Sequence, residues 1–383
     1  MNAPAQRFTL DGGEELETFL AGLCERIREE VRGLIPPGRL EGLLLAGGYG
    51  RGEGGVLRAP EGERPYNDLE FYVFIKGFAP LVERKYGPAL HELGERLTPE
   101  AGVEVEFKIL TLAKLRRSPP SMFYYDLAMG HRRLLGDERL SEALARHRDA
   151  SKIPLHEATR LMMNRCSGLL FAKERLQQER LSPEDADFIG RNIAKAQLAF
   201  GDAILAALGQ YHWSCRERNR RLQQIRFEGE LAWAEPLAAE HAEGVAFKLH
   251  PVRAAPSRDR LLAAHKRLLE HGQRLWLWLE GKRLGAAFAS PREYGLSPIN
   301  KCPETPPWRN LLVNLRQWGP AILADPRRFR YPRERLLNAL ALLLWNAEPD
   351  PEIQKALAVL LRGKASSFSE WTALYRALWN RFN

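Results

Sequence analysis

The stretch LLLAGGYGRGEGGVLRAPEGERPYNDLEFYVF, residues 43–74, decides the fold class of this chain. An apolar strand opens into a glycine-rich turn, and a second apolar strand follows a polar insert and carries two carboxylates, Asp68 and Glu70. Residues i and i+2 of a strand point to the same face, so these carboxylates should project together, within about 7 Å. They repel each other unless a cation lies between them, and Mg²⁺ suits carboxylates beside phosphate oxygens. The stretch therefore predicts phosphoryl chemistry.

The composition is that of an ordinary globular protein. With 383 residues, 45% of them hydrophobic and 27% charged, the chain is long enough for two or three domains with substantial cores. Its longest mainly apolar run, Leu336–Trp345, is too short to cross a bilayer. The four cysteines are widely spaced, which favours a reduced, cytoplasmic protein over a disulfide framework or a zinc site.

The net charge of +9 comes mostly from arginine and favours anionic ligands such as nucleotides or nucleic acid. Two arginine clusters stand out, at residues 216–221 and 327–335, and solvated helix faces are the simpler interpretation of both. No zinc finger or aromatic–basic RNA-binding signature occurs, so nucleic acid is a secondary alternative as a partner.

Periodicity divides the chain into a mixed part and a helical part. Helical spacing over 14–34, strands at Leu43–Ala46, Leu69–Ile75 and Val103–Leu112, and a helix over about 80–97 predict a small α/β domain ending near residue 150. From there the pattern predicts long helices, which argue for an antiparallel bundle. These helices are expected at 155–180, 184–213, 216–243 and 258–281, with three more between 333 and 381.

We therefore expect an α+β fold in three parts. A small mixed-sheet core would occupy residues 1–150, a large all-helical bundle domain 151–290, and a connector with a C-terminal helical cap 291–383.

The core resembles the nucleotidyltransferase fold of the DNA polymerase beta superfamily, which includes the aminoglycoside nucleotidyltransferases. The resemblance covers roughly residues 40–136 and rests on Gly47-Gly48 after a strand, the Asp68-x-Glu70 strand and a later acidic strand. It differs from the family pattern in two ways. Gly48 replaces the usual serine of the turn, and a surplus of about Ala59–Arg64 lengthens the gap before Asp68.

The resemblance implies transfer of a nucleoside monophosphate from a nucleoside triphosphate to a hydroxyl, with two Mg²⁺ ions (or Mn²⁺) as cofactors. Gly47 and Gly48 would let the backbone approach phosphate oxygens, and Arg51 would add a forked cation for the triphosphate. Asp68 and Glu70 would be catalytic metal ligands.

The third catalytic metal ligand should come from Val103–Lys108, where Glu104 and Glu106 share one face. Glu106 is preferred because it lies deeper in the strand, and it would also take the proton of the acceptor hydroxyl. An exposed strand with solvated acids would show the same alternation.

Two further patterns in the sequence bear on its function. Residues 50–55 satisfy G-x-G-x-x-G, but prolines at 60 and 65 prevent the helix that a dinucleotide-binding turn requires. On the helix over 188–210, Asn192, Lys195 and Asp202 share a rough face, and Lys195 could neutralise a phosphate of the nucleotide. Polar pairing between helices explains that face equally well.

The sequence thus favours a magnesium-dependent, ATP- or other nucleotide-binding transferase acting on a small, sugar-containing acceptor, with no membrane partner. Two alternatives stay open. The chain could be a regulatory protein that binds nucleotide without turnover, or a transferase that acts on nucleic acid.

Overall fold

A computed structural model of the chain describes residues 7–252, 256–346 and 350–382. Within these residues the contacts divide the chain into two compact units. Unit 1 comprises residues 7–157, 204–228 and 238–252, and unit 2 comprises the remaining described residues. The structure is of mixed α and β composition, which confirms the coarse fold class predicted above.

Within the described residues, six strands form two sheets. They are β1 (Leu40–Leu45), β2 (Val56–Ala59), β3 (Gly62–Pro65), β4 (Leu69–Ile75), β5 (Val105–Leu110) and β6 (Arg132–Gly136). The main sheet has the order β5-β4-β1-β6, in which β4 and β5 are parallel and the other pairs are antiparallel. A parallel pair needs a long crossover connection, and the helix Ala79–Ala101 supplies it.

The helices of unit 1 and those that lead to and from it follow in chain order. They are α1 (Glu14–Leu34), α2 (Gly47–Gly50), α3 (Ala79–Ala101), α4 (Leu112–Arg117), α5 (Met122–Met129), α6 (Glu138–Ala145), α7 (Leu155–Leu176), α8 (Pro183–Ala207), α9 (Cys215–Gln223) and α10 (Pro236–Leu249). The predicted helix over 14–34 is confirmed residue for residue. Its apolar positions recur at helical spacing and are buried, its first turn is acidic, and Pro36 prevents continuation.

Strand β4 is central because both of its faces are apolar. Leu69, Phe71 and Val73 lie in a core with α1 and α3, whereas Tyr72 and Phe74 lie in a second core with residues of α4, α5 and α6. The observed bounds of β4 match the prediction, and such a continuous apolar run is typical of a strand covered on both sides.

The predicted surface insertion at Ala59–Arg64 is part of an ordered hairpin. Strands β2 and β3 pair antiparallel from Val56↔Pro65 to Ala59↔Gly62. A hairpin, and not a helix, therefore follows the glycines at 50–55, so the structure lacks the dinucleotide-binding arrangement in this segment, as the prolines predicted.

Unit 2 is built from helices. Besides most of α7 and α8 it contains α11 (Arg258–Leu284), α12 (Pro291–Leu296), α13 (Pro307–Trp318), α14 (Pro332–Leu344), α15 (Pro351–Leu361) and α16 (Phe368–Phe382). Helix α14 is its centre, since its residues from Glu334 to Leu344 are all buried, and α12, α15 and α16 contact it. Among the described residues, no helix combines the length and apolar character needed to cross a bilayer.

The helix predicted over 216–243 is wrong as a single element. It ends at Gln223, a short 3₁₀ helix covers Gly229–Ala234, and α10 begins at Pro236. Gly229 adopts a φ of +57°, which a regular helix does not contain. Pro236 is tolerated best at the first turn of a helix, so it marks the start of α10.

Candidate functional site

The parallel pairing of β4 and β5 brings Glu70 and Glu106 side by side. The two residues are register partners, so their side chains leave the sheet on the same face. Both are partly exposed. Burial raises the pKa of Glu70, and the charge of Lys108 opposes the rise.

Asp68 and Glu104 flank this pair in less protected positions. Each is exposed and lies just before the first residue of its strand, β4 or β5. The charge of Asp68 nevertheless acts on Glu70, where it adds to the rise in pKa. The carbonyl oxygen of Glu104 accepts a hydrogen bond from the Leu69 amide at 2.8 Å.

The glycine turn lies directly against Glu70. Gly47 has a φ of +64°, and a Cβ added there would lie 3.0 Å from Glu70 Oε2. A larger residue would thus be strained by the left-handed backbone and would press on the carboxylate. The Ala46 amide also donates to the carbonyl oxygen of Glu70 at 2.9 Å, which fixes the turn on the edge of β4. Gly48 is buried beside the carbonyl oxygen of Glu53, 3.0 Å from where a Cβ would lie.

Lys108 is a member of this site that the sequence reasoning did not identify. Its Nζ lies 2.9 Å from Glu106 Oε2 and 3.6 Å from Glu70 Oε1, and it also lies 5.8 Å from the centre of the Tyr72 ring. The signal was present in the alternation of VEVEFKILTL, where residues 104, 106 and 108 fall on one face.

Arg51 forms an ion pair with the carboxylate of Asp126. Its Nη1 lies 3.5 Å from Asp126 Oδ2, which also accepts a hydrogen bond from the Tyr211 hydroxyl at 3.1 Å. Burial raises the pKa of Asp126, and the charges of Arg51 and Arg218 oppose that rise. Nothing in the local sequence shows that Asp126 meets Arg51, because the two residues are 75 positions apart in the chain.

Glu53 anchors a neighbouring polar cluster of unit 1. Its side chain is 4% exposed and accepts hydrogen bonds from the Ser214 hydroxyl and from the Cys215 amide, the latter at 2.9 Å. Burial would raise the pKa of Glu53, but these hydrogen bonds and the charge of Lys248 outweigh it, so the pKa is lowered. Glu53, which closely follows the glycine turn, is thereby tied to residues 161 and 162 positions away in the chain.

Lys195 lies on α8, in unit 2, and is exposed. Asn192 donates to the carbonyl oxygen of Phe188 at 2.8 Å within the same helix. Asp202 is buried, and its charge opposes the fall in the pKa of Arg165 that burial causes. The phosphate-binding role of Lys195 stays a prediction.

The carboxylate oxygens at β4 and β5 are donor atoms of the kind that a hard divalent cation prefers, but Lys108 pairs with them. Carboxylate oxygens are ligands that Mg²⁺ prefers, and Glu70 and Glu106 present them on one face. Lys108 already pairs with both carboxylates, so a metal could be held here only with the ammonium displaced. Over residues 7–252, 256–346 and 350–382, no group of three or more His, Cys, Asp or Glu side chains is arranged to hold a metal ion.

Comparisons with known proteins identify no relative. No family model matches this chain, and neither a curated protein nor a solved structure matches it.

Proposed function

We propose that the chain transfers a nucleoside monophosphate from a nucleoside triphosphate to a hydroxyl of a small acceptor, with Mg²⁺ as the cofactor. One observation carries the proposal. Glu70 and Glu106 are register partners on one face of the sheet, and Glu70 lies against the left-handed turn at Gly47. Acidic side chains beside a backbone that phosphate oxygens can approach suit phosphoryl chemistry.

Each residue then has a role that its surroundings support. Glu70 and Glu106 would hold the metal, which lowers the cost of charge developing on the phosphates. Asp68 acts on Glu70 by its charge and would add to the attraction for the cation. Arg51 would pair with the triphosphate. Its Nε and Asp126 Oδ1 are buried, and neither finds a hydrogen-bond partner in the part of the chain that the structure describes. The pair therefore retains donor and acceptor capacity for a ligand.

In the reaction, the acceptor oxygen forms a bond to the α-phosphorus, and the bond between that phosphorus and the bridging oxygen of pyrophosphate breaks. Glu106 would accept the hydroxyl proton of the acceptor. A positioned general base contributes roughly 100-fold or more to such a rate.

The test uses ATP, GTP, CTP and UTP labelled at the α-phosphate, a panel of sugar-containing alcohols and Mg²⁺. We expect transfer of label and release of pyrophosphate with at least one pair of substrates. Glu106→Gln should lower the rate by about 100-fold or more, and Glu104→Gln should have little effect because Glu104 is exposed ahead of the strand. Equal losses in both variants would contradict the role of Glu106.

The pairing of Lys108 with both acids favours a second candidate, a nucleotide-binding protein without turnover. In that case calorimetry should show tight binding of a nucleotide, and no pyrophosphate should be released with any acceptor. The same panel of substrates separates the two candidates.

A further inference from the structure

Lys108 occupies the position that a cation would take between the two in-register acids. Its Nζ is within 4 Å of carboxylate oxygens of both Glu70 and Glu106. We propose that Lys108 is a built-in competitor for the divalent cation, so that metal binds to the Glu70–Glu106 pair only after the ammonium leaves it. This inference rests on the proposed function for its biological meaning, but its test does not require turnover.

The charges explain the competition. Two carboxylates on one face repel each other, and an ammonium between them removes that repulsion without any metal. An incoming divalent cation must break both ion pairs and must also overcome the positive charge of Lys108 at close range. Opposite charges a few ångströms apart near a protein surface attract each other before desolvation is counted, so the effect on affinity should be measurable.

The position of Lys108 is defined by the sheet, unlike that of a lysine on an open helix. Lys108 is the register partner of Tyr72, and its ammonium lies near the ring of that residue. Its side chain is 41% exposed, which leaves a path into solvent when the ion pairs break.

Other charges near the pair do not replace Lys108. The positive charge of Arg51 and the negative charge of Asp68 have opposite electrostatic effects on the Glu70 carboxylate. Arg51 is also engaged by Asp126. Among the described residues, Lys108 is the cation in contact with both acids, so its removal should expose the pair to metal.

The experiment measures Mn²⁺ binding to the full chain, without nucleotide, by calorimetry and by the loss of the free-ion paramagnetic resonance signal. Lys108→Met should bind Mn²⁺ about tenfold or more tightly than the wild type, whereas Lys108→Arg, which keeps the charge, should resemble the wild type. The matched control is Lys114→Met, since Lys114 is exposed on α4 and its loss changes the net charge equally. Should Lys108→Met not fold, as judged by circular dichroism, Lys108→Gln takes its place.

Each outcome decides the proposal. Unchanged, weaker or undetectable Mn²⁺ binding in the Lys108 variant overturns it, and so does an equal gain in Lys114→Met. A loss of nucleotide affinity without a gain in Mn²⁺ affinity also overturns it and makes Lys108 a phosphate-binding residue. Turnover in the wild type with unchanged Mn²⁺ affinity in the variant leaves the proposed function standing and removes only the competition. Tighter Mn²⁺ binding in the variant, with no turnover of any substrate by the wild type, supports the competition and removes the proposed function.

Discussion

Glu53 illustrates how single residues of unit 1 depend on distant partners. It lies five residues after Gly48, yet the donors to its carboxylate are Ser214 and Cys215 at the start of α9. A buried carboxylate without donors is costly, so this interaction fixes both the glycine turn and the N-terminus of α9. Lys108 is a second case, since its partner Glu70 lies on a different strand.

We predict that Glu53→Gln lowers the free energy of unfolding by about 1–3 kcal/mol at pH 7, because the amide has one acceptor oxygen where the carboxylate offers Oε1 to the Ser214 hydroxyl and Oε2 to the Cys215 amide. The folded-state pKa of Glu53 is lowered from 4.5, so its stabilising effect is present above that value and is lost as the pH falls through the folded-state pKa. Urea denaturation should thus show a difference from wild type that shrinks below about pH 4.5. Glu61→Gln, at an exposed turn, is the control. Equal stability of Glu53→Gln and wild type at pH 7 would rule out this role.

The hairpin β2–β3 lies between the glycine turn and Asp68 and contains residues 59–64. Its base is closed by Tyr49 of α2, which is 1% exposed. The Tyr49 hydroxyl donates to the carbonyl oxygen of Gly55 at 2.8 Å and accepts from the Tyr66 amide at 2.8 Å. The residues just before and after the hairpin therefore meet at one side chain, which makes the insertion an ordered extension of the glycine turn.

Tyr49→Phe should destabilise the protein by about 1–3 kcal/mol, because it removes the hydroxyl that donates to the buried Gly55 carbonyl and accepts from the Tyr66 amide. The amide of Tyr66 should also exchange with deuterium faster. Tyr86→Phe provides a matched control. The Tyr86 hydroxyl is buried and has no hydrogen-bond partner among the described residues, so its removal should be neutral or slightly stabilising. The interpretation fails if the two variants unfold at the same urea concentration.

At the scale of the whole molecule, unit 1 is not contiguous in sequence. Residues 204–228 and 238–252 join it after the chain has passed through part of unit 2. They bring the Tyr211 hydroxyl to Asp126 and place Phe247 edge-on to Tyr66, with ring centres 6.1 Å apart. The candidate site therefore depends on late segments that contribute no acid to it.

A fragment of residues 1–157 should lack a cooperative thermal transition, although it contains Gly47, Glu70 and Glu106. Without the late segments, Glu53 and Asp126 lose their hydrogen-bond donors and apolar surface is exposed. Circular dichroism melting of the fragment beside the full chain tests this expectation. A cooperative transition at the temperature of the full chain would mean that the core folds without residues 204–252.

Local patterns accounted for much of this molecule. Helix α1 and strand β4 have the predicted bounds, and Glu106 rather than Glu104 lies within its strand in register with Glu70. These features follow from periodicity, because a strand or helix whose apolar face is defined has few alternative registers.

Tertiary structure decided what no local pattern encodes. The ammonium of Lys108 between two acids, the Arg51–Asp126 pair and the anchoring of Glu53 by α9 each join residues that are far apart in the chain or on different strands. Periodicity also failed to predict the break at 224–235, because the apolar spacing of a helix continues through residues at which the backbone turns. The sequence by itself determined which residues could form the sheet and which acids it would carry. Only the folded chain determined which charges those acids meet, because electrostatic partners are selected by proximity in space and not by spacing in sequence.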